Sequence, residues 1–299
     1  RVMAERLAAR LLKGTQYRRA AYSILRRIKD AGAKGVEITV SGNDNSLQSV
    51  AVDGNGNIYL INGVADDNVQ SVDVYDPNGN FITSWGSYGT NQGEFINPVD
   101  IDADVSNYIY VLDRGSCSLF GGGSPGYVNK FTPDGNFIKR WGGCGTDTNE
   151  FLQPYGLGVT HITNYFSCAV YVADTGNDRY QKFWVDGIFA DTNGNTGTNA
   201  GEFRSPTDIA ADWAQPGFYY VYVLDWLNYR IQKFDHTGQY ITNWGKRGTG
   251  NGEFSFPRYI AVDVNTNLLY VTDGYNAVSY THLRAHETRH DLVCRLLLE

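Results

Sequence analysis

Over most of the chain, apolar positions fall in short runs separated by turn residues; only near the start do they follow a helical rhythm. From about residue 43 the runs come in a fixed order. One follows a proline, as in Asp208-Ile209-Ala210 or Ile260-Ala261-Val262-Asp263. The next ends in aspartate, at Asp113, Asp174, Asp225 and Asp273. A third closes on Lys-Phe at Lys130-Phe131, Lys182-Phe183 and Lys233-Phe234. A turn such as Asp134-Gly135 or Asp186-Gly187 follows, where glycine supplies the positive φ of a tight hairpin. A fourth run ends near Trp-Gly at Trp85, Trp141 and Trp244. The pattern predicts four short antiparallel strands per unit, A to D.

Between units stands G-T-x-x-x-E-F-x-x-P, at Gly89 to Pro98, Gly145 to Pro154, Gly197 to Pro206 and Gly248 to Pro257. An earlier unit lacks this opening but keeps the Asp76 to Phe81 turn. Four strands repeating at about 50 residues predict the blades of an all-β propeller. A β-sandwich would not repeat one motif in register. About four and a half blades are expected over residues 43–277, the fifth stopping after Tyr270 to Asn276 (YVTDGYN) without its C and D strands. In such a blade the B–C and D–A loops emerge on one face. The longest runs from Arg114 to Tyr127 and holds Gly121, Gly122 and Gly123.

Composition agrees. The chain has 34 Gly, 21 Tyr and 14 Phe against one Met, which suits strands and turns better than helices. No apolar run reaches the roughly 18–20 residues of a membrane-spanning helix, so no membrane span is expected. The start has no apolar leader and no Met, and the expectation is of a fragment. Charge divides the chain. Residues 1–42 hold 10 Lys+Arg and 3 Asp+Glu, net +7; totals of 25 and 32 leave 15 and 29 for residues 43–299, net −14. A break that abrupt predicts two polypeptides of different origin, a chimera. The acidic part is a poor partner for nucleic acid.

Residues 43–277 resemble the NHL-repeat family, on Tyr171 to Phe183 (YVADTGNDRYQKF) and Tyr222 to Phe234 (YVLDWLNYRIQKF). The resemblance implies a propeller normally closed by six blades, here truncated. Residues 1–42 read differently. Leu7, Leu11 and Leu12, then Ala20, Ala21, Ile24, Leu25 and Ile28, have helical spacing, with a break at Gly14 and a strand at Val36 to Val40. Val2 to Gly42, most clearly in YRRAAYSILRRIKDAGAKGVEITVSG (Tyr17 to Gly42), closely resembles the S-three family of small-subunit ribosomal proteins. That resemblance implies a helix-helix-strand fragment whose Arg18 and Arg19 match the family's RNA-contacting arginines, while Tyr22 replaces the next basic position. About 40 residues bury too little surface to fold alone, so a fragment without a function of its own is expected.

Residues 278–299 resemble a translated adapter tail of metagenomic reading frames and are expected to be non-native. They contain His286-Glu287-Thr288-Arg289-His290, a literal H-E-x-x-H, with His282 continuing the spacing. No zinc is expected there, because Val293 stands where a metzincin glycine belongs and only nine residues follow His290.

Other constellations are read beside their structural roles. Asp191, Asn193, Asn195 and Glu202 mimic a calcium loop, but Thr196 replaces its glycine and strands flank it. The recurring Asp113, Asp174, Asp225 and Asp273 are expected to accept hydrogen bonds from the backbone of their own B–C loops. Arg179 and Arg230 recur as well, as braces or ligand contacts. Cys117 and Cys144 belong to loops on one face and are a candidate disulfide, which would imply an oxidising compartment. His161 and His236 lie in different units, which argues against a Ser-His-Asp site.

These features lead to a non-enzymatic scaffold that binds protein, peptide or glycan on its B–C and D–A loop face. The candidate contacts are Arg179, Trp226, Tyr229, Arg230 and Tyr275. No catalytic residue, metal or cofactor is expected. Two alternatives stand beside it: a propeller lyase or lactonase with a channel metal, and RNA binding, including through residues 1–42. The propeller is expected outside the cell or at its surface, and the N-terminal fragment is expected to be of cytoplasmic, ribosomal origin.

Overall fold

The computed structural model describes residues 47–64, 69–118, 122–160, 168–212, 218–263, 268–273, 278–284 and 294–295. The chain divides into two compact units, 1–153 and 154–299.

The first unit holds two sheets. One is β1 (Leu47–Val52), β2 (Ile58–Val64), β3 (Val69–Tyr75) and β4 (Phe81–Trp85). The other is β5 (Pro98–Ala103), β6 (Ile109–Asp113), β7 (Gly126–Phe131) and β8 (Phe137–Gly143). The second unit holds three. They are β9 (Gly156–Val159), β10 (Ala169–Asp174), β11 (Arg179–Trp184) and β12 (Phe189–Asn193); β13 (Pro206–Ala211), β14 (Tyr220–Asp225), β15 (Arg230–Asp235) and β16 (Tyr240–Trp244); and β17 (Pro257–Asp263), β18 (Leu268–Asp273), β19 (Val278–Arg284) and β20 (Cys294–Arg295). Every sheet is an antiparallel meander in chain order, which is the predicted propeller blade.

The A–B turns are tied by their aspartates. Asp53 accepts the amides of Asn55 and Asn57 and the Tyr59 hydroxyl. Asp104 does the same for Ser106, Tyr108 and Tyr110. Asp212 takes Tyr220 N–H and the Tyr222 hydroxyl, each at 2.8 Å. Burial together with the adjacent carboxylate pushes the Tyr59 and Tyr222 phenols well up. The third sheet has Thr160 at this place, and its Tyr171 meets the Tyr219 hydroxyl instead, at 2.8 Å.

Innermost strands join neighbouring sheets within each unit. Ser49 Oγ of β1 donates to Asp100 of β5 at 2.8 Å, and Ile260 N–H of β17 donates to Asp208 of β13 at 2.8 Å. In β9, Gly156 lets β13 approach so closely that a Cβ would stand 2.5 Å from Asp208 Cα. Between sheets lie apolar layers, with Tyr59, Val72, Phe95, Val111 and Phe131 in one and Tyr222, Ile231, Phe254, Ile260 and Val271 in another.

The last sheet departs from the expected half blade. After Asp273 the chain supplies both outer strands, with Val278 opposite Asp273 and Cys294 opposite Thr281. Val278, Tyr280 and Thr281 belong to residue types that favour strands. Pairing also satisfies a β18 edge that would otherwise present bare backbone donors and acceptors. Five four-stranded sheets therefore stand among the described residues, rather than four and a half. The N-terminal fragment with Arg18 and Arg19 lies outside the described residues, as do Tyr275, His161, His286, His290 and the His282 side chain.

Candidate functional site

The D–A loops owe their shape to the Glu-Phe motif. Each Glu folds back to accept an amide three residues earlier: Glu94 from Asn91, Glu150 from Asp147, Glu202 from Asn199 and Glu253 from Gly250, at 2.9–3.1 Å. These bonds hold the Glu202 and Glu253 carboxyls below their usual range. A Cβ at Gly145 would collide with the Glu150 carboxylate, which is why glycine opens the motif. Phe95, Phe151, Phe203 and Phe254 are buried beneath the loops. Burying a Phe is worth about 1.5–3 kcal/mol.

Behind these loops lie the strand-end aspartates. Asp225 accepts Arg204 N–H at 2.8 Å, Asn228 Nδ2 at 2.9 Å, Arg230 Nε at 2.8 Å and Gln232 Nε2 at 3.1 Å. Asp174 takes the side chains of Asn177, Arg179 and Gln181 in the same way. Asp113 is held by amides instead, from Ile96, Asn97 and Gly115. Asp273 takes Ser255 and Phe256 N–H, both at 2.7 Å. The main backbone donors thus come from the D–A loop, not from the B–C loop expected from sequence. The reason is geometric: the loop entering strand A passes directly over the end of strand B. Burial raises the Asp113 and Asp225 carboxyls against the pull of these bonds.

Arg230 also donates to the carbonyls of Thr198, Asn199 and Glu202 at 2.7–2.8 Å. Three of its N–H groups therefore brace the loop that carries Glu202, while Nε–H holds Asp225. Arg179 pairs with Asp174 at 2.8 Å. Cys117 and Cys144 are joined by a disulfide with their Cα atoms 5.7 Å apart. Asp191 lies on β12 and accepts the Thr192 amide; with Glu202 capping its own loop, the calcium-like stretch is built as strand and turn. Among the described residues no three His, Cys, Asp or Glu side chains cluster as metal ligands would.

The 3-10 turn Trp226–Asn228 projects between two D–A loops of the second unit. Leu227 N–H donates to Arg204 O at 3.1 Å. The Trp226 and Phe256 rings meet edge to face at 5.3 Å. The Arg258 guanidinium lies 4.4 Å from the Phe256 centroid and 5.6 Å from that of Trp226, and Arg247 lies 5.5 Å from that of Tyr229. Tyr229 has φ 56°, the left-handed region that ends the turn, and its half-buried ring packs against the apolar layer of Tyr222, Ile231 and Phe254. The sequence singled out Trp226 and Tyr229 as candidate contacts; the structure sets Phe256, Arg247 and Arg258 against their rings and Arg204 beside the same turn. A signal for two of these was present: Arg204 and Phe256 occupy the variable x-x positions between Glu-Phe and Pro.

Comparison with known proteins agrees with this architecture. A family described as a 6-bladed beta-propeller matches residues 219–297. The human NHL repeat-containing protein 3 is 28% identical over 217 residues, covering 69% of this chain and 57% of that protein. The small ribosomal subunit protein uS3 of Methanosphaera stadtmanae is 60% identical over 42 residues, 14% of this chain and 17% of that protein, in the N-terminal region. The chain thus spans well under two thirds of either relative. A solved propeller, virginiamycin B lyase from Staphylococcus aureus, superposes with TM-score 0.56 at 12% identity over 87% of this chain and 73% of that one. A gluconolactonase from Xanthomonas campestris gives 0.50 at 14%, over 76% and 69%.

Proposed function

We propose that this propeller is a binding scaffold without catalytic chemistry of its own, whose B–C and D–A loops hold a protein, peptide or glycan ligand. The Trp226 turn carries the reading. There the repeat places aromatic and cationic side chains at the tip of a braced loop, where variable function resides on a rigid frame. The strand-end carboxylates are engaged in holding loops, and Arg179 and Arg230 enter as braces beneath the contact residues. The lyase and lactonase neighbours share the fold at 12–14% identity, and that carries no activity across. The disulfide fits an oxidising compartment.

The test is selection of displayed peptides on the immobilised full chain. Selected sequences should bind about tenfold or more weakly to Trp226→Ala or Tyr229→Ala, as expected of central aromatic anchors, at a temperature where each variant is folded. Ligands indifferent to both substitutions would remove the basis for this reading.

A further inference from the structure

The Trp226 turn is flanked by three guanidinium groups that have no carboxylate partner among the described residues. Arg204 and Arg247 are exposed, and Arg258 is half-buried. The other cations of these loops are paired: Arg179 with Asp174, Arg230 with Asp225 and Lys246 with Glu253. Resting on the binding role proposed above, we infer that this turn docks a carboxylate-rich peptide segment of a partner protein.

Charge is the first argument. Three unneutralised arginines stand around one turn, in a stretch whose net charge over residues 43–299 is −14. They form a local exception to that field, and a short anionic segment is what it attracts. Pre-organisation is the second. Arg247 and Arg258 rest on aromatic rings, which restricts them before a ligand arrives. A guanidinium laid on a ring still presents its N–H edge, and that edge matches a carboxylate with two parallel hydrogen bonds. The third argument separates ligand classes. A sugar-binding platform needs an open ring face, whereas here guanidiniums lie against Trp226, Phe256 and Tyr229. A nucleic acid longer than the patch would run onto acidic surface, which costs more as the strand lengthens.

The experiment uses the full chain and a fluorescein-labelled peptide alternating Glu and Ser, with a Gln-Ser peptide as control. Fluorescence anisotropy is compared between the wild type and an Arg204→Gln, Arg247→Gln, Arg258→Gln triple variant. The basic residues 1–42 are present in both, so only the difference between the two proteins is read. Expected is binding of the acidic peptide alone, weakened about tenfold or more by the triple substitution and weakened by salt. If the triple variant melts earlier, Arg204→Glu alone, which alters an exposed side chain, is read the same way. Equal affinity of wild type and variant overturns the inference. So does the absence of binding; the scaffold reading then stands if selected peptides still depend on Trp226. An oligouronate or RNA that depends on these arginines where the acidic peptide does not would also overturn it, in favour of that ligand class.

Discussion

The second and fourth sheets meet one demand in two ways. Each ends strand B on a buried aspartate whose lone pairs must be satisfied. In the fourth sheet, Arg230, Gln232 and Asn228 supply most of the donors from side chains. In the second, Tyr127 and Asn129 stand where Arg230 and Gln232 would be, and three backbone amides supply the donors. The loop lengths follow. Side-chain donors permit a compact B–C turn, Trp226–Asn228, whose tip carries the Trp226 and Leu227 side chains. Where the backbone serves, the loop is long and glycine-rich, and the Cys117–Cys144 disulfide fastens it. A repeat therefore conserves the electrostatic requirement rather than the residues that meet it.

The sharpest way to break this contrast is Arg230→Met. It leaves Asp225 buried without its cation, and breaking such a pair costs about 3–5 kcal/mol. Tyr127→Met at the matching place of the second sheet removes only a ring beside Arg140, at 4.4 Å, and should cost about 1 kcal/mol. Urea unfolding of both variants checks the difference. A similar loss in the two would mean that Arg230 is not the element the fourth sheet depends on.

The covalent fastening should come next in size. Cys117 and Cys144 are separated by 27 positions, so removing the bond restores loop entropy worth about 3.5 kcal/mol to the unfolded chain. Cys117→Ala with Cys144→Ala should lower the melting temperature, and added reductant should then have no further effect. Because the disulfide and Arg230 lie in different sheets, their losses should add.

A pH titration sharpens the fourth sheet alone. Burial lowers the Lys233 ammonium from 10.5 to about 8, with partial relief from Asp212, while Tyr220 lies 3.6 Å away. Between those values the unfolded chain binds a proton that the folded chain does not, so this group's contribution to stability rises with pH from about 8 to 10.5. The gain should be on the order of 1–2 kcal/mol once screening by water is allowed for. Thermal melts at intervals from neutral pH to about 10 should show it, and Lys233→Met should flatten the slope. The buried tyrosines Tyr59 and Tyr222 keep their protons in the folded chain but ionise near 10 once unfolded, so from about pH 10 upward they oppose this gain.

The repeat made the sheets legible because its period is long and its punctuation chemical: Asp ends one strand, Lys-Phe another, and Glu-Phe-x-x-Pro opens the next unit. The loop face was legible in part. Trp226 and Tyr229 stand out as aromatics after a strand-end aspartate, but the backbone donor to that aspartate, Arg204 N–H, comes from a D–A loop some twenty positions earlier, and local spacing does not reveal it. The outer strands of the last sheet were missed for a related reason: residues 278–284 carry strand-forming residues without the Lys-Phe signature that marks strand C elsewhere.

The smallest expected effect lies where the second sheet is least complete. Asn129 is 1% exposed, and both polar atoms of its amide lack a hydrogen-bond partner. Its counterpart Gln232 is one methylene longer; it reaches Asp225 at 3.1 Å and Glu202 O at 2.7 Å, and receives Gly201 N–H at 2.9 Å. The shorter side chain reaches no such partner near Asp113, so the amide is desolvated without return. Leucine has nearly the same shape and no polar atoms to satisfy. Asn129→Leu should therefore stabilise the chain by about 1 kcal/mol, because an unpaired buried polar group costs about 1–3 kcal/mol and repacking absorbs part of the gain. Asn129→Gln should stabilise by a different route, by rebuilding the contacts that Gln232 makes, whereas Gln232→Asn should destabilise the fourth sheet. Denaturant midpoints at unchanged m-values would separate these outcomes. A loss of stability in Asn129→Leu would show that the amide is satisfied, for instance by a buried water bridging it to Asp113. The second sheet would then share the side-chain solution of the fourth, with solvent in place of the missing methylene.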